Sequence, residues 1–118
     1  MVKSKRQTEK IARRKALESW SKAVRERDSW TCQICGNTKY INSHHIVPKE
    51  IKEFRTELNN GVTLCPICHK FGQKSAHKNA LWFIVWLQRH KPVQYDYLLW
   101  NYASKVLESG SKAIEEKL

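Results

Sequence analysis

The chain has no apolar run long enough to span a bilayer. The stretch Leu81 to Leu87 falls far short of the ~20 residues a membrane helix needs, and 28% of all residues are charged. It also lacks an apolar signal core at its start, where Met1-Val2-Lys3-Ser4-Lys5-Arg6 leads into charged sequence. The expectation is a soluble, intracellular (cytoplasmic) protein with no membrane partner, in a compartment where disulfides are rare. Length is short as well: 118 residues make one ordinary domain or a small metal-stapled core with helical extensions, not a large multilayer core.

Acidic residues are scarce. There are 11 against 22 lysines and arginines, a formal net charge of +11. The excess is uneven, since residues 1–27 hold ten bases and three acids. A field of that sign concentrates on polyanions, with nucleic acid phosphates the leading partner and an anionic membrane surface or a merely solvated basic face the alternatives.

No cysteine is left unpaired in the pattern. Cys32-Gln33-Ile34-Cys35 and Cys65-Pro66-Ile67-Cys68 are two Cys-x-x-Cys knuckles, and four thiolates in two pairs match the tetrahedral sulfur shell of structural zinc. The 29 residues between Cys35 and Cys65 suffice to bring the knuckles together. Two disulfides or buried free thiols are the alternatives. Cys65-Pro66-Ile67-Cys68-His69 also fits a covalent haem attachment site, but that reading strands Cys32 and Cys35.

Punctuation and periodicity place the elements. Ile11, Ala12, Leu17, Trp20, Ala23 and Val24 recur at helical spacing from Thr8 to about Arg27, predicting an amphipathic helix with a basic outer face. Lys39 to Val47 has the composition of a strand, stopped by Pro48. Residues 49–61 form a loop with a helical turn near Phe54, and Asn60-Gly61 signals a turn before Val62-Thr63-Leu64. A short helix is expected from Pro66 to Phe71, a mostly buried one over Ala80 to Leu87, and, after the break at Pro92, a third from Val93 to Leu107. Trp82, Phe83, Trp86 and Trp100 are expected in the core, with Trp30 and Tyr40 against the first knuckle. Glu108 to Leu118 is polar and expected to fray.

His44 and His45 end the predicted strand, so their side chains point to opposite faces. One can ligate a metal while the other addresses a substrate; His69, beside the second knuckle, is a candidate second ligand. His77 and His90 are read as surface residues of basic helical segments.

Taken together, Cys32-Gln33-Ile34-Cys35-Gly36, Ser43-His44-His45-Ile46-Val47-Pro48 and Asn60-Gly61-Val62-Thr63-Leu64-Cys65-Pro66-Ile67-Cys68-His69-Lys70 resemble the HNH endonuclease family, the ββα-metal nucleases. Trp20 to Asp28 resembles the lead-in helix, so the likeness covers roughly residues 20–73. It implies a small α+β fold: a ββα-metal, treble-clef-like core over residues 28–77, a basic N-terminal helix over 1–27 and a C-terminal helical extension over 78–118.

The resemblance also implies roles. His45 corresponds to the general base, Asn60 to the residue that holds that base in position, and His44 and His69 to ligands of one catalytic divalent ion such as Mg2+, Mn2+ or Ni2+. Cys32, Cys35, Cys65 and Cys68 correspond to the ligands of structural Zn2+. Some members carry a further histidine ligand four positions after the last one, where this chain has Gln73. The implied activity is hydrolysis of double-stranded DNA to 5′-phosphate and 3′-hydroxyl ends, by a monomer or homodimer; compact proteins of this kind are often encoded by phages or mobile elements. Arg13, Arg14 and Lys15 are the expected DNA phosphate contacts, and a non-catalytic zinc module that binds nucleic acid is the alternative.

Overall fold

The computed structural model of the protein describes residues 2–107. The expected fraying of Glu108 to Leu118 lies outside the described residues. Helix α1 (Lys5–Arg27) starts three residues earlier than periodicity predicts because Ser4 and Gln7 form a reciprocal cap. The Ser4 hydroxyl accepts from the Gln7 amide at 3.2 Å, and the Gln7 side chain accepts from the Ser4 amide at 2.9 Å, satisfying two amides that the helix leaves free. Of the apolar stripe only Trp20 and Val24 are buried, while Ile11 and Leu17 are half-buried and Ala12 and Ala23 exposed. Only the C-terminal end of α1 therefore packs on the sheet.

The sheet has two short antiparallel strands, β1 (Asn42–His45) and β2 (Gly61–Leu64), in the register Asn42↔Leu64 to His45↔Gly61. β1 is shorter than the predicted Lys39–Val47. Tyr40, before it, has a left-handed φ of 56°, outside the extended region that a regular ladder requires. After β2, Ile67–Phe71 forms a single π-helical turn, completing the ββα order. The α+β class is as the sequence implied.

Helices α2 (Ala80–His90) and α3 (Pro92–Tyr102) follow. α2 buries Phe83, Trp86 and Leu87 against Val62, Leu64 and three of the cysteines, and its other face leaves Leu81, Ile84 and Val85 exposed. Pro92 occupies the first turn of α3, where its missing amide costs nothing. α3 contributes Leu98 to a second cluster with Val47 and Phe54, then continues as a π turn over Ala103–Leu107. Trp100, expected in the core, is 74% exposed, and Tyr40 is 86% exposed instead of lying on the knuckle. Trp30 is also exposed, with the Arg25 guanidinium 5.1 Å over its ring.

α1 is locked to β2 by Asp28, its C-terminal cap. The Asp28 carboxylate receives two bonds from Arg27 at 2.9 Å and one from the Thr63 amide at 2.9 Å. Burial opposes its charge, but these donors outweigh burial and hold the carboxyl below its usual range. Gly61 completes the fit for a steric reason, its φ of −127° being ordinary extended backbone. A Cβ there would collide with Val24 and lie 2.7 Å from Trp20 Cζ2.

Candidate active site

The four cysteines converge although they arrive from two distant knuckles. Their sulfurs all lie within 4.8 Å of one another, with Cys35 Sγ and Cys65 Sγ 3.5 Å apart. Bonds of ~2.3 Å to a tetrahedral zinc imply S···S edges of ~3.8 Å, so the set fits a metal such as zinc. Local backbone bonds shape the first knuckle: the Cys32 amide donates to Asn37 O at 2.8 Å and the Gly36 amide to Cys32 O at 2.9 Å, with Gly36 at φ 81°. The Gln33 amide donates to Thr63 O at 3.0 Å, which pins the knuckle to β2. Burial works against a Cys32 thiolate, yet amides of Cys35, Cys65 and Ile34 lower that thiol to about 7. Burial and the charge on Cys32 push Cys68 the other way. Such mutual repulsion is what a divalent cation relieves. With Cys32 and Cys35 in the same cluster as Cys65 and Cys68, the haem reading loses its basis.

A second cluster is built from imidazoles. His44, His69 and His77 bring ligand nitrogens within 4.8 Å of one another, and His69 Nε2 and His77 Nε2 are 3.1 Å apart. His44 packs edge-on to both rings, at centroid distances of 4.9 and 5.2 Å, and Phe83 of α2 covers it at 5.2 Å. Burial, reinforced by the neighbouring rings, holds His44 down to about 3; burial and His77 hold His69 down to about 4. Both are neutral near pH 7, the form that ligates metal. No carboxylate belongs to either cluster among the described residues.

His77 is exposed, as the sequence reading has it, but it lies in a turn and not in a helix, and it joins the imidazole cluster. The π turn ends at Phe71 and Gly72 is extended, at φ −74° and ψ 154°. Gln73, four residues beyond His69, is therefore past the end of the turn and exposed. The chain then doubles back, the Ala76 amide donating to Cys68 O at 2.9 Å and the His77 amide to His69 O at 3.0 Å. That return carries His77 onto His69. The signal available in the sequence is Gly72, which stops the helix before a ligand at the fourth position is possible. His90 is exposed as well, its ring stacked on Trp86 at 5.6 Å.

His45 faces the other way from His44, as alternation requires. Its ring lies on the indole of Trp20, centroids 3.8 Å apart and planes 15° apart. Its Nε2 is 2.9 Å from the carbonyl of Arg55. A carbonyl only accepts, so Nε2 carries the proton and Nδ1 keeps the lone pair. Burial lowers the pKa of His45, against the opposing effect of the Arg55 bond. Both histidines nonetheless line one cleft of about 460 Å³, together with His69, His77, Lys49 and Lys70.

The Asn60 side chain makes its hydrogen bonds to Val47 and Phe54 and none to His45. It is fully buried, accepting from the Val47 amide and donating to Val47 O at 2.9 Å and Phe54 O at 3.1 Å. It closes the loop between the strands, and that loop presents Arg55 O to His45. Residues 32–73 match the model of the HNH endonuclease family. The matched stretch spans both knuckles, β1, β2 and the π turn, and such a domain suggests a nuclease or nucleic-acid-binding role. His77 and Trp20 lie outside the match. No curated protein and no solved structure matches the chain.

Arg13, Arg14 and Lys15 are not brought to the cleft. They are exposed on the N-terminal part of α1, where Arg14 makes a 3.8 Å solvent-exposed pair with Glu18. Among the described residues no helix is long and apolar enough to cross a membrane.

Proposed function

We propose that the protein is an endonuclease that hydrolyses phosphodiester bonds of double-stranded DNA. In this reading His45 is the general base, and His44, His69 and His77 hold one catalytic divalent ion. The observation that carries it is the opposed placement of two adjacent histidines: one enters a cluster of three imidazoles, while the other is pinned at Nε2 with Nδ1 free, and both border one cleft.

A phosphodiester is an anion, so its cleavage needs charge neutralisation, an activated water and a stabilised leaving oxygen. The ion, when bound, supplies Lewis-acid neutralisation of the scissile phosphate and of the departing oxygen. His45 Nδ1 takes the proton of the attacking water, a role an imidazole fills near neutral pH. Asn60 acts at one remove, by fixing the loop whose Arg55 carbonyl holds the His45 tautomer. Lys49 and Lys70, at the cleft wall, add positive charge for the substrate. Three imidazoles without a carboxylate match Ni2+ better than Mg2+, which prefers oxygen ligands. The four cysteines take structural Zn2+ and stay out of the chemistry. Residues 28–77 then carry the reaction and 1–27 grip the duplex through Arg13, Arg14 and Lys15, while Phe83 of the C-terminal extension covers His44.

The deciding experiment incubates zinc-loaded protein with supercoiled plasmid plus Ni2+, Mn2+ or Mg2+, with and without EDTA, beside His45→Ala. Metal-dependent cleavage is expected, with a loss of about 10²–10⁴ in rate for the variant at unchanged zinc content and DNA affinity. Binding without cleavage under every metal would instead identify a zinc-stapled nucleic-acid-binding module.

A further inference from the structure

Trp20 lies outside the matched residues 32–73, yet its indole covers one face of the His45 ring at 3.8 Å. The indole is itself held. Its Nε1–H donates to Glu57 O at 2.7 Å, and the residue is only 6% exposed. Space for it depends on Gly61, the partner of His45 across the ladder, because a Cβ there would be 2.7 Å from Trp20 Cζ2.

Rotation about the second torsion of a histidine is broad and soft. One hydrogen bond, from Nε2 to Arg55 O, restrains an edge of the ring but leaves its plane free to tilt. A stacked aromatic face opposes that tilt and favours the near-parallel arrangement seen here, with the planes 15° apart.

We propose that Trp20 is a positioning residue for His45: its stack fixes the imidazole plane and thereby the direction of the Nδ1 lone pair. The proposal rests on His45 being the base. A base misaligned by ~1 Å loses on the order of a hundredfold in rate, so the stack belongs to the rate of the chemical step and not to substrate binding.

Two substitutions separate this role from simple packing. Trp20→Phe keeps an aromatic face and Trp20→Leu keeps apolar bulk without one; both lose the bond to Glu57. They are compared at equal zinc content and at a temperature where circular dichroism shows both folded. Relative to Trp20→Phe, kcat for duplex cleavage in Trp20→Leu falls about tenfold to a hundredfold, with KM unchanged. Imidazole ¹⁵N spectra of the zinc-loaded protein give a second readout, with His45 assigned by its absence in His45→Ala. They show the Nε2–H tautomer held by Arg55 O in all three proteins, with one sharp, ring-current-shifted set of carbon-bound ring protons in the wild type and Trp20→Phe, and exchange-broadened ring signals in Trp20→Leu, where the plane is free to tilt. Equal kcat in the two variants overturns the positioning role, as does an unshifted His45 ring in the wild type. Cleavage that survives in His45→Ala removes the base assignment and this proposal together, whereas unchanged spectra with His45-dependent cleavage remove the proposal alone. If Trp20→Leu does not fold, Trp20→Met provides the non-aromatic member of the pair.

Discussion

The cysteine and histidine clusters sit on the same small scaffold but are assembled by different means. Each sulfur pair is made locally, by a Cys-x-x-Cys turn, and only one long-range step joins the two; in the first knuckle, amides and a turn glycine dictate the shape. Each imidazole comes from a different element: a strand, a π turn and a returning loop. The first centre is robust because its halves pre-exist. The second exists only once the fold has formed, so it reports on the fold's accuracy more than it contributes to its stability.

The largest effect that tests this contrast is removal of a sulfur. Cys68→Ser should release zinc and unfold the core, since structural zinc carries on the order of 10 kcal/mol of folding free energy in domains of this kind. Metal analysis beside a circular dichroism melt checks it; native helicity without zinc would show that the thiolates do not staple the fold. His77→Ala should do the reverse, leaving zinc content and melting nearly unchanged while weakening Ni2+ binding at the imidazole cluster by about a hundredfold or more. Gln73→Ala should leave that affinity where it was. Calorimetric titration of the zinc-loaded proteins with Ni2+ gives both numbers, and an effect at position 73 instead of 77 would reverse the ligand assignment.

The same contrast explains what can be read from the chain. Cys32, Cys35, Cys65 and Cys68 announce themselves by spacing, and the alternation of a strand is enough to separate His44 from His45. The end of the first helix near Asp28 follows from periodicity and punctuation, whereas the ββα order is legible only through the resemblance to the HNH family. His77 is illegible because its partner lies eight residues away across a non-helical return, a distance that matches no repeat of helix or strand. Gly61 reads only as a turn signal for a related reason: its requirement comes from Trp20 and Val24, 41 and 37 positions earlier. Trp100 and Tyr40 depart from their expected places because apolar character predicts burial only where a facing element exists.

Asp28 provides a smaller test, on the joint that both centres share. Asp28→Asn removes a charged acceptor from Arg27 and from the Thr63 amide and should cost about 1–3 kcal/mol, read as a lower melting temperature with zinc retained. Because its carboxyl is held below the usual value of 3.8, the charged form's contribution is complete above that value and is lost as pH falls through the folded-state pKa. The gap between wild type and variant should therefore stay flat from about pH 6 to about pH 9. A gap that changes in that range would assign the effect to another group. The smallest effect is expected far from either cluster: alanine at Arg13, Arg14 and Lys15 should weaken binding to unrelated duplexes alike and lower the salt slope of log K by about 0.9 for each phosphate no longer neutralised. Unchanged slopes across a salt series would make this part of α1 a solvated face.

Helix α1 runs unbroken from Lys5 to Arg27, and Trp20 fixes one point of it on the His45 ring. From Lys5 to Trp20 an α-helix advances ~22 Å, close to the rise of six or seven base pairs at ~3.4 Å each. A continuous helix of this kind is a ruler. If the proposed endonuclease holds a phosphate at the basic end of α1, the distance from that phosphate to His45 is set by a count of helical turns, so inserting or deleting one turn before Trp20 would move the grip by about 5.4 Å and leave His45 where it is.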